Sequence, residues 1–219
     1  MDAIKSYILR HGLRPGDHLP TESALCADLG VSRSSVREAL RKLQALDIVT
    51  VRQGSGSYVG DMSLQPMVET LVLRAALEDI NGVQSLHSIV ETRHALDLGI
   101  ALPLTRAMKG TSNPELWELV NTMTDHAHAG ETYFDQDIAF HSGLLAYLKN
   151  PLMHQLVAAM WLVHQSVTPQ LAAASREEME DTAEAHAAIL RACEAGDVEA
   201  YAAAVDAHYE PLMAIIEGR

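Results

Sequence analysis

Asp137 and His141 stand four residues apart in a segment of helical periodicity, so both side chains leave one face of one helix. His186 and His208 flank the break Ala195-Gly196-Asp197, and their mean position is residue 197. Two antiparallel helices turning at that break bring the two imidazoles to the same height. One carboxylate and three imidazoles converging inside a bundle would bind a divalent metal, and such a donor set accepts zinc, nickel, manganese or iron. Histidines near helix hairpins are common, so spacing alone leaves ordinary core histidines as the alternative. Of the chain's eleven histidines, His126, His128 and His164 have no partner pattern and read as surface or satisfied-core residues.

A second group lies near the N-terminus. On a helix begun at Ser32, Val36, Leu40 and Leu43 form one apolar stripe, while Arg33, Arg37 and Arg41 share a neighbouring stripe with Ser34 beside them. A short helix with a packed back and a basic, hydroxyl-bearing front suits the DNA major groove. Taken alone, the same arginines would more readily be a solvated face supported by Glu38.

The elements around the arginines decide between these uses. Ile4, Ile8 and Leu9 predict a first helix ending before Gly12. Pro20 precedes Thr21-Glu22-Ser23, which opens a second helix running to Gly30. The Ser32-capped helix is expected to end near Asp47. Ile48–Val51 and Ser57–Val59 read as strands around Arg52-Gln53-Gly54-Ser55-Gly56, whose glycines permit a hairpin. Together these predict a winged helix-turn-helix over residues 1–60. Residues 61–65 read as a linker, and residues 66–219 as an all-α antiparallel bundle of about seven helices: 66–80, 83–108, 113–129, 132–148, 150–172, 176–195 and 197–217. Pro103 is expected to kink the second of them.

Charge supports that division. The chain of 219 residues carries a net charge of −13, which is unusual for a nucleic-acid binder. Residues 1–60, however, hold eight Lys/Arg against six Asp/Glu, while the other 159 hold eight against 23. A basic reader joined to an acidic body is the implied design. No apolar run approaches the ~20 residues that cross a bilayer, and there is no signal-peptide pattern at the start. Cys26 and Cys193 are single and far apart, which argues against a disulfide framework and fits a reducing cytoplasm.

The segments Leu13-Arg14-Pro15-Gly16-Asp17-His18-Leu19-Pro20-Thr21-Glu22, Val31-Ser32-Arg33 with Val36-Arg37-Glu38-Ala39-Leu40, and Gln53-Gly54-Ser55-Gly56-Ser57-Tyr58-Val59 resemble the GntR family of bacterial transcription regulators. That resemblance implies that Arg33 and Arg37 reach guanine edges. It also implies that Thr21, Ser32 and Ser34 contact phosphates and that Gln53 and Gly54 enter the minor groove. Ser23-Ala24 departs from the family, whose members commonly carry an arginine there, so one DNA contact is expected to be absent.

The body resembles the FCD ligand-binding domain of the FadR subfamily. The resemblance rests on Asp137-Ile138-Ala139-Phe140-His141, Asn150-Pro151-Leu152, Glu184-Ala185-His186, Gly196-Asp197 and Ala207-His208. It implies a divalent metal, often zinc, on Asp137, His141, His186 and His208. It also places Arg93 against an effector carboxylate, the alternative being an Arg93–Asp97 salt bridge at i, i+4. Leu98-Gly99-Ile100-Ala101-Leu102-Pro103 departs from the alanine-rich family pattern.

The implied protein is a homodimeric, metabolite-responsive regulator, expected to act as a repressor at palindromic operator DNA. Its effector is a small carboxylate, and no membrane is involved. The competing expectations are a metal-dependent enzyme acting on a small hydroxy or carboxylic acid, and a GntR regulator with a purely structural metal. No nucleophile motif or phosphate loop supports the enzyme.

Overall fold

Hydrophobic spacing and capping account for the first three helices of the computed structural model, which describes residues 1–78, 83–167 and 175–218. Helix α1 (Asp2–Arg10) buries Ile4 and Ile8 and leaves Leu9 80% exposed, so only the i, i+4 pair serves the core. The Thr21 side chain caps α2 (Glu22–Leu29) by accepting from Ala24 N–H. Gly30 closes α2 in the left-handed region at φ +65°, a conformation that costs a glycine least.

Ser32 caps α3 (Arg33–Gln44) by accepting from Ser35 N–H, and the helix buries Val36, Leu40 and Leu43 as the stripe predicts. It ends three residues short of Asp47, which takes a positive φ of 55° in the turn that follows. Strands β1 (Val49–Arg52) and β2 (Gly56–Val59) pair antiparallel, with Val49 opposite Val59 and Arg52 opposite Gly56. Val49 and Val59 join Ile4, Ile8, Leu19, Leu25 and the α3 stripe in one core. Gly60 lies so near the Asp47 carbonyl that a Cβ there would stand 2.3 Å from its oxygen. This is a winged helix-turn-helix.

Residues 1–67 and 68–219 form two units. Among the described residues, eight helices follow the wing: α4 (Gln65–Glu78), α5 (Val83–Gly99), α6 (Ala101–Met108), α7 (Pro114–Ala129), α8 (Phe134–Leu145), α9 (Pro151–Val167), α10 (Arg176–Ala195) and α11 (Val198–Glu217). The expected single helix over 83–108 is thus two. Pro103 has no N–H to give the Gly99 carbonyl, and its ring crowds that group. The chain breaks at Ile100 and restarts so that Pro103 falls in the first turn of α6, where no intrahelical N–H is needed. The expected break at Asn81-Gly82 and the expected end of helix 150–172 lie outside the described residues. No described helix is long and apolar enough to cross a membrane.

Helices α10 and α11 form the expected hairpin. Gly196 ends α10 at φ +73°, and the Asp197 carboxylate caps α11 by accepting from Glu199 and Ala200 N–H. Helix α10 packs also on α6 and α7, and α11 on α5 and α6, while α9 lies on α5 and α8 on α7. At the hairpin end, Glu194 accepts from Asn113 N–H (3.0 Å), Asn113 Nδ2 (2.9 Å) and Trp117 Nε1 (3.1 Å), tying the start of α7 to α10. Hydrogen bonds to a charged acceptor contribute about 1.5–3 kcal/mol, and removing the acceptor strands the Asn113 main-chain and Trp117 donors, while Asn113 Nδ2 keeps Thr111 Oγ1. Glu194→Ala is therefore expected to lower unfolding stability by roughly 2–3 kcal/mol in chemical denaturation. A change under about 0.5 kcal/mol, the level of an ordinary surface substitution, would show the tie to be dispensable.

Candidate metal centre and nucleic-acid interface

In the first unit, the front of α3 carries Arg33, Ser34 and Arg37, all exposed, and the Ser32 hydroxyl stands at its N-terminus. Ser32 Oγ lies 2.9 Å from the hydroxyls of both Ser34 and Ser35. Neither arginine is loose. Arg37 Nε donates to Glu22 Oε2 at 2.8 Å, and Arg33 Nη2 donates to Ser23 Oγ at 3.2 Å. The first turn of α2 thus orients both guanidinium groups. Ser23, at the departure from the family pattern, takes up one of them. Gln53 and Gly54 sit exposed in the turn between β1 and β2, with Gly54 at φ +74°. Arg52 stacks 4.5 Å over the Tyr58 ring, whose other neighbour is His18, so the wing is braced by an aromatic stack. The Glu22 and Ser23 contacts could not be foreseen from spacing, because they join residues 15 and 10 apart across the helix-turn-helix.

In the second unit, His141 of α8, His186 of α10 and His208 of α11 are buried together. One ring nitrogen from each lies within 4.8 Å of the others. Ring centroids are 5.3 Å apart for His141–His186, 4.5 Å for His186–His208 and 5.3 Å for His141–His208. Asp137 joins from one turn earlier on α8. Its Oδ1 is 2.7 Å from His186 Nε2 and 3.5 Å from His141 Nε2.

The donor chemistry fits a metal. His186 Nδ1 lies 2.7 Å from the Thr182 carbonyl, which can only accept, so that nitrogen carries the proton. Its Nε2 faces the Asp137 carboxylate at 2.7 Å, an arrangement met either by an imidazolium donating from both nitrogens or by a cation shared between the Nε2 lone pair and the carboxylate. A backbone carbonyl on the far nitrogen is the usual partner of a ligating histidine. His141 Nε2 and His208 Nδ1 are buried without a hydrogen-bond partner, as ligand lone pairs would be.

Electrostatics agree. Burial would raise the Asp137 carboxyl, but the His141 and His186 imidazoles beside it outweigh burial and hold it well below the usual carboxylate range. Burial pushes His141 and His208 down, favouring the neutral rings that coordinate metals.

Arg93 of α5 is only 3% exposed. Its guanidinium stacks 3.9 Å over Trp161 of α9 and 5.4 Å from the Tyr209 ring of α11. Its Nε and Nη2 are buried and, among the described residues, donate to no protein group. The alternative Arg93–Asp97 salt bridge is not formed among the described residues. Asp97 Oδ2 instead accepts from the Tyr209 hydroxyl at 2.6 Å. A buried cation with an unused two-pronged edge lacks the anion that would compensate it. Beside it, His164 is buried, and burial and the Arg93 charge push its imidazole down to about 3. A cavity of about 10 Å³, enough for roughly one water, is lined by Asp97, His141, Tyr201 and His208 among others.

Spacing singles out Asp137, His141, His186 and His208, and the bundle brings these four ligand candidates together; Arg93 is implied by the family resemblance alone. Trp161 and Tyr209 were missed. Trp161 and His164, three residues apart on α9, would have been the available signal. Burial likewise pushes the Cys193 thiol up to about 12, leaving it an inert packing residue.

Comparison with known proteins follows the same division. Residues 1–59 match the family described as bacterial regulatory proteins, gntR family, and residues 88–211, more than half the chain, match the FCD domain. The chain belongs to the GntR family, in its FCD-bearing branch. It is 31% identical over 161 residues to the HTH-type transcriptional regulator YcbG of Bacillus subtilis, covering 73% of this chain and 64% of that one. It is 24% identical over 186 residues to the galactonate operon transcriptional repressor of Escherichia coli, covering 85% and 81%. Among solved structures, Streptococcus agalactiae GntR superposes with a TM-score of 0.68 at 28% identity, covering 100% and 97%. These relatives are regulators, and so is this DNA-binding chain, not an enzyme.

Proposed function

We propose that the chain is a metabolite-responsive repressor. Its metal-centred pocket takes a small carboxylate, and two copies grip a palindromic operator. The observation that carries this reading is the unused Nε/Nη2 edge of buried Arg93, close to a buried triad of imidazoles. Asp137, His141, His186 and His208 would hold a divalent metal, with zinc the leading candidate for an oxygen-and-nitrogen set. A metal bound there supplies a Lewis-acidic anchor for an anionic oxygen. Arg93 fixes the plane of the carboxylate through two parallel N–H donors, Trp161 holds the guanidinium flat, and Tyr209 keeps Asp97 from competing for it.

On the DNA side, Arg33 and Arg37 would read guanine edges, with Thr21, Ser32 and Ser34 on phosphates and Gln53 and Gly54 in the minor groove. A two-fold dimer places two α3 helices on half-sites about one helical turn apart. The effector acts only through its different affinity for the DNA-competent and DNA-incompetent arrangements.

The test is selection of the preferred duplex from a random pool, followed by fluorescence anisotropy with zinc-loaded protein. A palindrome is expected to be enriched. A panel of two- to six-carbon carboxylates, galactonate included because a relative controls a galactonate operon, is expected to contain one that weakens binding. Weakening of about tenfold corresponds to a coupling of 1.4 kcal/mol, within the ordinary allosteric range. Stripping the metal is expected to abolish that response. If no palindrome is enriched, or every carboxylate leaves binding unchanged, this reading fails. Unfolding on metal removal, with no carboxylate response to lose, would mean that the metal is structural.

A further inference from the structure

Polar groups around Arg93 are unequally supplied. Among the described residues, three buried N–H donors have no acceptor: Arg93 Nε, Arg93 Nη2 and Trp161 Nε1. Both nearby carboxylates are already engaged, Asp137 with His186 and Asp97 with Tyr209. The Trp161 ring, 6% exposed, stands 3.9 Å from the Arg93 guanidinium and 4.7 Å from the His141 imidazole, so it bridges the anion-binding edge and the triad. A carboxylate spanning the arginine fork uses two of the three donors. The indole N–H then remains buried and unsatisfied, a costly state that a third oxygen relieves.

We propose that Trp161 is a specificity-determining residue whose indole N–H requires the effector to carry an acceptor oxygen beyond its carboxylate. The pocket would then select an oxygenated carboxylate over an alkyl acid or an amino acid. An ammonium group on the ligand fails for the converse reason, since the site offers it no uncommitted carboxylate. A plain alkyl acid leaves the indole donor stranded. This inference rests on the carboxylate reading above and adds the selecting residue.

The experiment uses skeleton-matched acids on full-length zinc-loaded protein, by calorimetry: propionate, lactate and alanine, and the six-carbon pair hexanoate and gluconate. At least one oxygenated acid is expected to bind about tenfold or more tighter than its alkyl counterpart, because sites built to hydrogen-bond a ligand group reject analogues that lack it. Trp161→Phe keeps an aromatic face for Arg93 and deletes the donor together with part of the ring. It is expected to bring that preference within about threefold, the oxygenated acid losing several-fold more affinity than the alkyl acid, whereas general loosening of the pocket would weaken both alike.

A measurement on the unsubstituted protein runs in parallel. The Trp161 indole N–H resonance is expected to shift with the preferred oxygenated acid and not with its alkyl counterpart. The Trp117 resonance, tied to Glu194, is expected to stay fixed in both. An unchanged preference in Trp161→Phe, or an unmoved Trp161 resonance, overturns the role of Trp161 while the carboxylate reading stands. Equal or tighter binding of the alkyl acids or alanine does the same. If neither these five acids nor any carboxylate of the panel above binds, the carboxylate reading falls together with this one.

Discussion

Changing His186 to Ala is expected to abolish the zinc binding proposed above. Zinc remaining after dialysis against a competing chelator should fall by more than the roughly 10–100-fold affinity loss that removal of an outer-shell partner typically causes. His186 is the ligand candidate most completely enclosed by protein: it is 0% exposed, its Nδ1 is tied to Thr182, and its Nε2 faces Asp137. Deleting it removes a donor and leaves Asp137 buried beside His141 alone. A ligand that binds only the folded state raises the melting temperature. Chelator is thus expected to lower the melting temperature of the unsubstituted protein and to leave that of His186→Ala unmoved. His208→Ala should repeat the pattern. Full zinc occupancy in both variants would remove the site.

Arg37→Ala should cost about 1–3 kcal/mol of discrimination at a single base pair of the operator, the amount carried by one bidentate arginine–guanine contact. Its signature is a loss of preference at one position with little change in the salt dependence of binding. Losing a phosphate contact would instead flatten the salt slope by about 0.9. Arg33→Ala is expected to act alike at a different base pair. The scaffold makes the assignment sharp, because Glu22 already occupies Arg37 Nε and leaves the remaining N–H groups for a base edge. Selection of the same duplex by both variants, with affinity reduced uniformly across sequences, would reassign these arginines to the phosphates.

Much of this could be read from residue types and intervals. Short-range rules governed the helix-turn-helix: the Ser32 cap, the Val36–Leu40–Leu43 stripe and the glycine at the end of α2 each depend on neighbours within one or two turns. The meeting of His186 and His208 was legible for a related reason, since a hairpin reflects positions about its turn and Gly196-Asp197 marks that turn clearly. The division of 83–108 was not legible in full. Pro103 signalled a disturbance, but whether a helix bends through a proline or restarts before it depends on packing that no interval reveals. The Trp161–Arg93 stack lies further from reach. It joins helices α5 and α9, whose mutual rotation is decided by the whole bundle, and nothing local to either segment specifies it.

The contrast between the two sulfhydryl side chains has a practical consequence. Cys193 is wholly enclosed and reluctant to ionise, whereas Cys26 is partly accessible on α2, beside the recognition helix. Maleimide chemistry on the folded protein is thereby directed to a single position per copy, with no engineering of the chain. In the proposed dimer, a dye placed there on each copy would report the separation of the reading heads as a carboxylate is added.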